Sequence, residues 1–268
     1  MEKTGMTLEN VREVYSGFEG RLWELIMGEQ IHIGGFASSK ALGDAAGWKK
    51  GDQVVDLCSA LGAGMEFLAR VYGVKPCGVD ATPHMVEESR KRLAREGFGE
   101  TAEVRLGDVT DIPYPDGRFD GVWGEDAWCY VEDKDKLISE AARVLRPGGK
   151  VAFTDWLIGP RGMDPESAHR ICLTMKFPDM ESREGYNRLL EKHGFRIVES
   201  SDLTPDFADH IANYLGQLAG QRHFDAMKIL QWNYDVFNFL GAEFGFMLEK
   251  AREGGFGRGR FVAVKERS

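Results

Sequence analysis

The chain has 268 residues and a formal net charge of -9, with 43 Asp and Glu against 34 Lys and Arg. That balance argues against gripping a phosphate backbone, so nucleic acid is not expected as a partner. No run of about 18 uninterrupted apolar residues exists to span a membrane, and the N-terminus lacks a basic-then-apolar leader, so the chain is expected to be cytoplasmic. The four cysteines, Cys58, Cys77, Cys129 and Cys172, have no C-x-x-C spacing, which predicts reduced thiols and no metal site.

In chain order, residues Leu8 to Gly47 read as a helical segment broken at Gly34-Gly35. From Asp52 to Trp156, short β-rich apolar runs alternate with helical periodicity, as in βαβ units on a parallel sheet. The predicted strands are QVVDL, PCGVD, AEVRL, FDGVW and KVAFTDW. Helices are expected near Gly64–Tyr72, Pro83–Glu96 and Lys134–Val144, the last stopped by Arg146-Pro147-Gly148-Gly149, where proline and glycine cannot continue it. Residues Leu157–Lys192 read as a loop and two helices, FRIVES as a sixth strand and RGRFVAVKE as a seventh. Between these two strands lies a long helical insertion, Pro205 to Glu253. Its stripe of Ile229, Trp232, Val236, Leu240, Phe244 and Met247, spaced three or four apart, could roof a pocket. The expected organisation is a helical lid over residues 1–48 and an α/β domain over 49–268 carrying an insertion at about 205–253.

The stretch VVDLCSALGAG ends an apolar strand on Asp56 and continues through residues with small side chains or none. Such a loop lets backbone N–H groups and the following helix N-terminus approach a polar ligand. Asp80 ends the second strand, where a carboxylate can accept both hydroxyls of a ribose. Asp108 follows the third and could accept from an adenine amino group, with Val109 against the ring. A pyrophosphate loop would read G-x-G-x-x-G, and C-S-A-L-G-A-G does not. Three carboxylates without a phosphate cradle favour a cofactor with ribose, adenine and positive charge.

The motifs VVDLCSALGAG, GVD, GDVTDIPYPDGRFDGVW and RVLRPGG resemble the class I S-adenosylmethionine-dependent methyltransferases over about residues 52–156. The resemblance implies a Rossmann-like seven-stranded sheet with helices on both faces, and S-adenosylmethionine as cofactor. It also implies contacts to that cofactor from Ile31, Asp56, Cys58, Gly62, Asp80, Ala81, Asp108, Val109 and Glu125. Cys58 and Ala60 occupy positions where the family loop usually has glycine. The segment YSGFEGRLWELIMGEQIHIGG looks like the subgroup of phosphoethanolamine and sarcosine/dimethylglycine N-methyltransferases, in which such a segment closes over the cofactor and a tyrosine matched by Tyr15 helps seal the site. That likeness implies roles at the reacting centre for Asp126, Tyr15 and Tyr130, with Asp126 contacting a substrate amine.

Methyl transfer is an in-line displacement, so the protein mainly positions, excludes water and stabilises positive charge. Trp128 and Trp156 are expected to face a cationic centre, and Trp232 to close the pocket from the insertion. The phosphate-gripping cluster of the phospho-base enzymes has no match around CLTMKF, which favours an amino acid acceptor whose carboxylate meets Arg170 or Lys176. Methylation at oxygen or carbon of an aromatic or isoprenoid metabolite, with His32 or His84 as base, is the alternative enzyme reading. A non-catalytic S-adenosylmethionine-binding regulator is the alternative outside catalysis.

Overall fold

The computed structural model describes residues 3–267. Three helices open the chain, α1 (Leu8–Ser16), α2 (Phe18–Met27) and α3 (Gly35–Ala46). The alternating region gives β1 (Gln53–Leu57), α4 (Ala63–Tyr72), β2 (Lys75–Asp80), α5 (Pro83–Arg95), β3 (Glu103–Leu106), β4 (Phe119–Glu125), α6 (Lys134–Val144) and β5 (Leu145–Ile158). Helices α7 (Pro165–Met175) and α8 (Arg183–Lys192) precede β6 (Phe195–Asp202). The insertion forms α9 (Thr204–Ala219), α10 (His223–Ile229) and α11 (Tyr234–Arg252) before β7 (Phe256–Lys265).

The seven strands lie in the order β3-β2-β1-β4-β5-β7-β6. The first five are mutually parallel, while β7 runs antiparallel between β5 and β6. Alternation along each strand divides the core. Val55, Leu57, Val122, Val151 and Phe153 pack with α6 and α8, whereas Val54, Trp123, Ala152 and Val262 pack with α3 and α4. Successive strand side chains point to opposite faces, so a sheet covered on both sides needs apolar residues at adjacent positions.

One strand boundary differs from the sequence reading. The Arg146-Pro147-Gly148-Gly149 segment lies inside β5, because Leu145 already pairs with Phe119 before the register shifts to Gly121 against Lys150. An irregularity of this kind accommodates Pro147 and the left-handed Gly148 (φ 80°) without ending the pairing. Trp232 also departs from expectation. It lies in the turn between α10 and α11 with φ 63°, outside the helical stripe, and is 50% exposed against Phe224.

Ile229, Val236 and Leu240 of the stripe share one cluster with α2, while Phe244 and Met247 pack in another with Trp156 and Phe256. Leu22 and Leu25 of α2 pack with Ala226, Leu230, Val236 and Leu240 of the insertion.

The loop after β1 lies against β2 at Gly78, where a Cβ would come within 2.6 Å of Met65 Sδ and 2.7 Å of Ser59 Oγ. Ser59 is fixed by its own N–H to Val79 O bond (3.1 Å) and Met65 is fully buried, so neither can step aside cheaply. Gly78→Ala is therefore expected to lower stability by about 1–3 kcal/mol. An unchanged urea midpoint would show that the loop has slack here.

Candidate active site

Strand order reverses between β1 and β4, and a cavity of about 250 Å³ opens at the carboxyl ends of β1, β2 and β4. Asp56, Asp80 and Glu125 reach it from three strand ends, and Asp108 from the loop after β3. Asp80 accepts N–H bonds from Ala60 (2.9 Å) and Thr82 (2.8 Å), which fixes the small-residue loop to the end of β2. Asp108 accepts from the N–H and hydroxyl of Thr110, both at 2.8 Å, and Val109 is buried beside it.

The wall carries more negative charge than the protein neutralises. Burial, then the nearby Glu125 and Asp80 carboxylates, push Asp56 well above the usual carboxyl range. Burial also raises Asp80, although its two backbone hydrogen bonds oppose the shift. Glu125 is raised chiefly by burial; its Oε2 accepts from Ser39 (3.1 Å) and Trp123 (3.2 Å), while Oε1 is buried without a partner. Desolvated carboxylates with an orphan oxygen fit a ligand that brings cations or donors. They do not fit a pyrophosphate.

Backbone strain gathers on the same wall. Ile31 (φ 50°), Cys58 (φ 65°), Ala60 (φ 43°) and Asp126 (φ 54°) line the cavity in the left-handed region, which costs residues with a Cβ about 1–2 kcal/mol each. Cys58 and Ala60 thus adopt the conformation that glycine would take at their positions.

On the far side stand Tyr15, Tyr130 and Asp126. These residues also border a small constriction together with Trp23, Met27 and Trp156. The Tyr15 and Tyr130 rings meet edge to face at 5.6 Å, and burial raises both phenols above their usual value, so both stay protonated at neutral pH. Asp126 is engaged on both oxygens. Arg258 Nε donates to Oδ1 at 2.7 Å and the Ile33 N–H to Oδ2 at 2.8 Å, with Asp126 and Arg258 both buried.

Residues 55–153 match the family model described as a methyltransferase domain. The chain therefore carries a methyltransferase domain, consistent with the class I S-adenosylmethionine-dependent methyltransferases that its motifs resemble. S-adenosylmethionine is the cofactor of that family. The chain is 27% identical over 260 residues to phosphoethanolamine N-methyltransferase 1 of Triticum aestivum, covering 96% of this chain and 50% of that one. Over 231 residues it is 26% identical to a probable chloroplastic tocopherol O-methyltransferase of Oryza sativa subsp. japonica, covering 75% and 63%. The chain thus spans about half to just under two thirds of the length of these relatives. In fold it matches a protein of Galdieria sulphuraria provisionally named a sarcosine dimethylglycine methyltransferase, with a TM-score of 0.85, 21% identity and coverage of 94% and 98%.

Of the expected cofactor residues, Ile31, Asp56, Cys58, Asp80, Ala81, Asp108, Val109 and Glu125 line the cavity. Gly62 sits just behind it, capping α4 with φ 75°, and a Cβ there would run into Ser89. The expected acceptor residues scatter. Trp128 is fully buried in the core, stacked on Phe153 at 4.1 Å, so it faces no ligand. Arg170 is held by Glu243 (2.9 and 2.8 Å) over Phe246, away from both the cavity and the constriction. Lys176 borders a separate apolar chamber, and Trp232 borders none of these spaces. Trp156 does reach the constriction.

Three site residues were not singled out from the sequence. Arg258 on β7 pairs with Asp126 and also donates to Ser38 Oγ (2.9 Å) and Thr154 Oγ1 (3.0 Å). Ser39 bridges Glu125 and His32, binding the latter at 3.0 Å, so His32 is committed to that network. Arg12 reaches from α1 to the Ala81 carbonyl at 2.9 Å.

Two outcomes follow from this geometry. Arg258→Met leaves the Asp126 carboxylate buried and unpaired, at an expected cost of about 3–5 kcal/mol. Urea denaturation and amide exchange at Ile33 measure it, and a variant with wild-type stability would show that the pair holds nothing. The second concerns pH. A carboxyl raised in the fold binds protons there that the unfolded chain has released, so this contribution to stability is present below the ordinary carboxyl range and lost as pH rises through the raised value. A cationic ligand favours the ionised wall. S-adenosylmethionine affinity is therefore expected to fall as pH is lowered through the raised carboxyl range, with proton release on binding. Calorimetry in buffers of different ionisation enthalpy reads both, and a pH-independent affinity without proton exchange would contradict the wall's role.

Proposed function

We propose that the protein transfers the methyl group of S-adenosylmethionine to the nitrogen of a small amine held in its neutral form between Tyr15, Tyr130 and Trp156. The observation carrying this reading is the Asp126–Arg258 pair at the constriction. A bare carboxylate there would hold an amine as its ammonium, which has no lone pair to attack with. Paired with Arg258, Asp126 attracts an ammonium less, while lone pairs remain on its oxygens to accept from an N–H.

When bound, the cofactor supplies a methyl group on a positively charged sulfur. In this reading the chain's residues hold and orient. Asp56 and Glu125 receive the ammonium end, Asp80 the ribose hydroxyls, and Asp108 with Val109 the adenine. Tyr15 and Tyr130 donate hydrogen bonds at the reacting centre and keep water out. The attacking nitrogen brings its own lone pair, so the protein needs no base. A hydroxyl acceptor would need one, and the groups at the constriction are two protonated phenols and a paired carboxylate. No Arg or Lys among the described residues lines the cavity or the constriction, which speaks against a phosphorylated acceptor. Helices α1–α3 and the insertion serve as the lid.

The test is a panel of amines with labelled S-adenosylmethionine, scored by product mass. Tyr130→Phe is expected to lower turnover about tenfold, equivalent to one hydrogen bond, while leaving cofactor affinity nearly unchanged. Methylation of hydroxyl compounds but of no amine, or an unaffected Tyr130→Phe variant, would count against the assignment.

A further inference from the structure

The constriction does not end at Asp126. It shares Trp23, Met27 and Trp156 with a narrow apolar neck, and the neck shares Trp23, Ile26, Leu215, Leu218 and Phe244 with a chamber of about 140 Å³. On its other side, the constriction shares Tyr15, Ile31, Asp126 and Tyr130 with the cofactor cavity. A row of adjoining spaces, walled by shared side chains, therefore runs from the carboxylate wall to the roof helices.

The chamber's chemistry is opposite to that of the cavity. Leu22 of α2, Leu230 beside α10, and Phe237 and Leu240 of α11 form much of its wall. Glu19 and Lys176 are the charged residues among those that line it. A pocket of this size walled mainly by leucine and aromatic side chains suits an apolar guest.

We infer that the methyl acceptor is an amine carrying an apolar tail of several carbons, its nitrogen at the constriction and its tail through the neck into the chamber. This deepens the methyl-transfer reading and rests on it for the position of the nitrogen. It replaces the expectation of an amino acid such as sarcosine, because Arg170, expected to meet its carboxylate, is bound to Glu243. The two helical extensions then act as the specificity element, since neither alone encloses the chamber.

The test uses 4-alkylanilines from ethyl to hexyl as probes, which are neutral at pH 7.5 and differ only in tail length. Titrated calorimetrically into protein saturated with S-adenosylhomocysteine, their affinity is expected to rise about three- to fourfold per methylene until the chamber is filled. Leu218→Trp and Gly241→Leu both place bulk at the chamber wall, and a Cβ at Gly241 meets nothing within 4 Å. Each variant should flatten the series without changing S-adenosylhomocysteine affinity. A flat series in the unaltered protein, an undiminished slope in both variants, or tighter binding of dimethylglycine than of hexylaniline would overturn the inference. The series is repeated without S-adenosylhomocysteine. Chain-length dependence there, in a protein that fails to bind S-adenosylhomocysteine, would keep the chamber as a ligand site and remove the methyl-transfer reading instead.

Discussion

The buried pair of Asp126 and Arg258 ties the N-terminal extension to the ends of three neighbouring strands. Asp126 follows β4, Arg258 lies on β7, Thr154 on β5, and Ser38 and Ile33 belong to the N-terminal extension. Removing two charges from water is costly, and their mutual attraction offsets that cost only when the remaining donors and acceptors are also satisfied. Here they largely are, by a backbone N–H and two hydroxyls. The same bonds fix the N-terminal segment across the end of the sheet, so its placement and the pairing of Asp126 come from one set of contacts.

Around this anchor, the cavity wall is built against its own stability. Asp56 and Glu125 are buried beside one another's charge, and four residues with side chains hold left-handed backbone. Such departures persist only where the surrounding packing over-determines them, and they gather where a ligand is to be bound. The apolar layers of the sheet, with Trp128 and Phe153 stacked at their centre, provide that packing. The burial that stiffens the scaffold is also what raises the carboxyls and keeps both phenols protonated.

The roof follows a different logic. Leu22 and Leu25, near the start of the chain, pack with residues of the 204–252 helices. The N-terminal extension and the insertion each bury one apolar face against the sheet and another against each other, and the fit leaves the chamber between them. A polar wall below and an apolar roof above give the site two ends of unlike chemistry.

The sequence by itself determined the sheet and most of the carboxylate wall. Strand periodicity, the carboxylates at strand ends and the small-residue loop are local signals, and Gln53–Leu57 and Lys134–Val144 fall where the pattern puts them. Even the loss of two glycines was legible as a departure, although the left-handed backbone of Cys58 and Ala60 was not. The surroundings of Asp126 were decided by tertiary structure alone. Arg258 lies 132 positions from Asp126, and only the antiparallel insertion of β7 between β5 and β6 brings it there. Trp128, Arg170 and Trp232 carry side chains suited to a substrate, yet the fold sends one to the core, one to Glu243 and one to an exposed turn. The physical reason is range. Strands, caps and loop conformations are fixed by neighbours in sequence, whereas pairing a charge or enclosing a chamber requires segments whose meeting is decided by the packing of the whole chain.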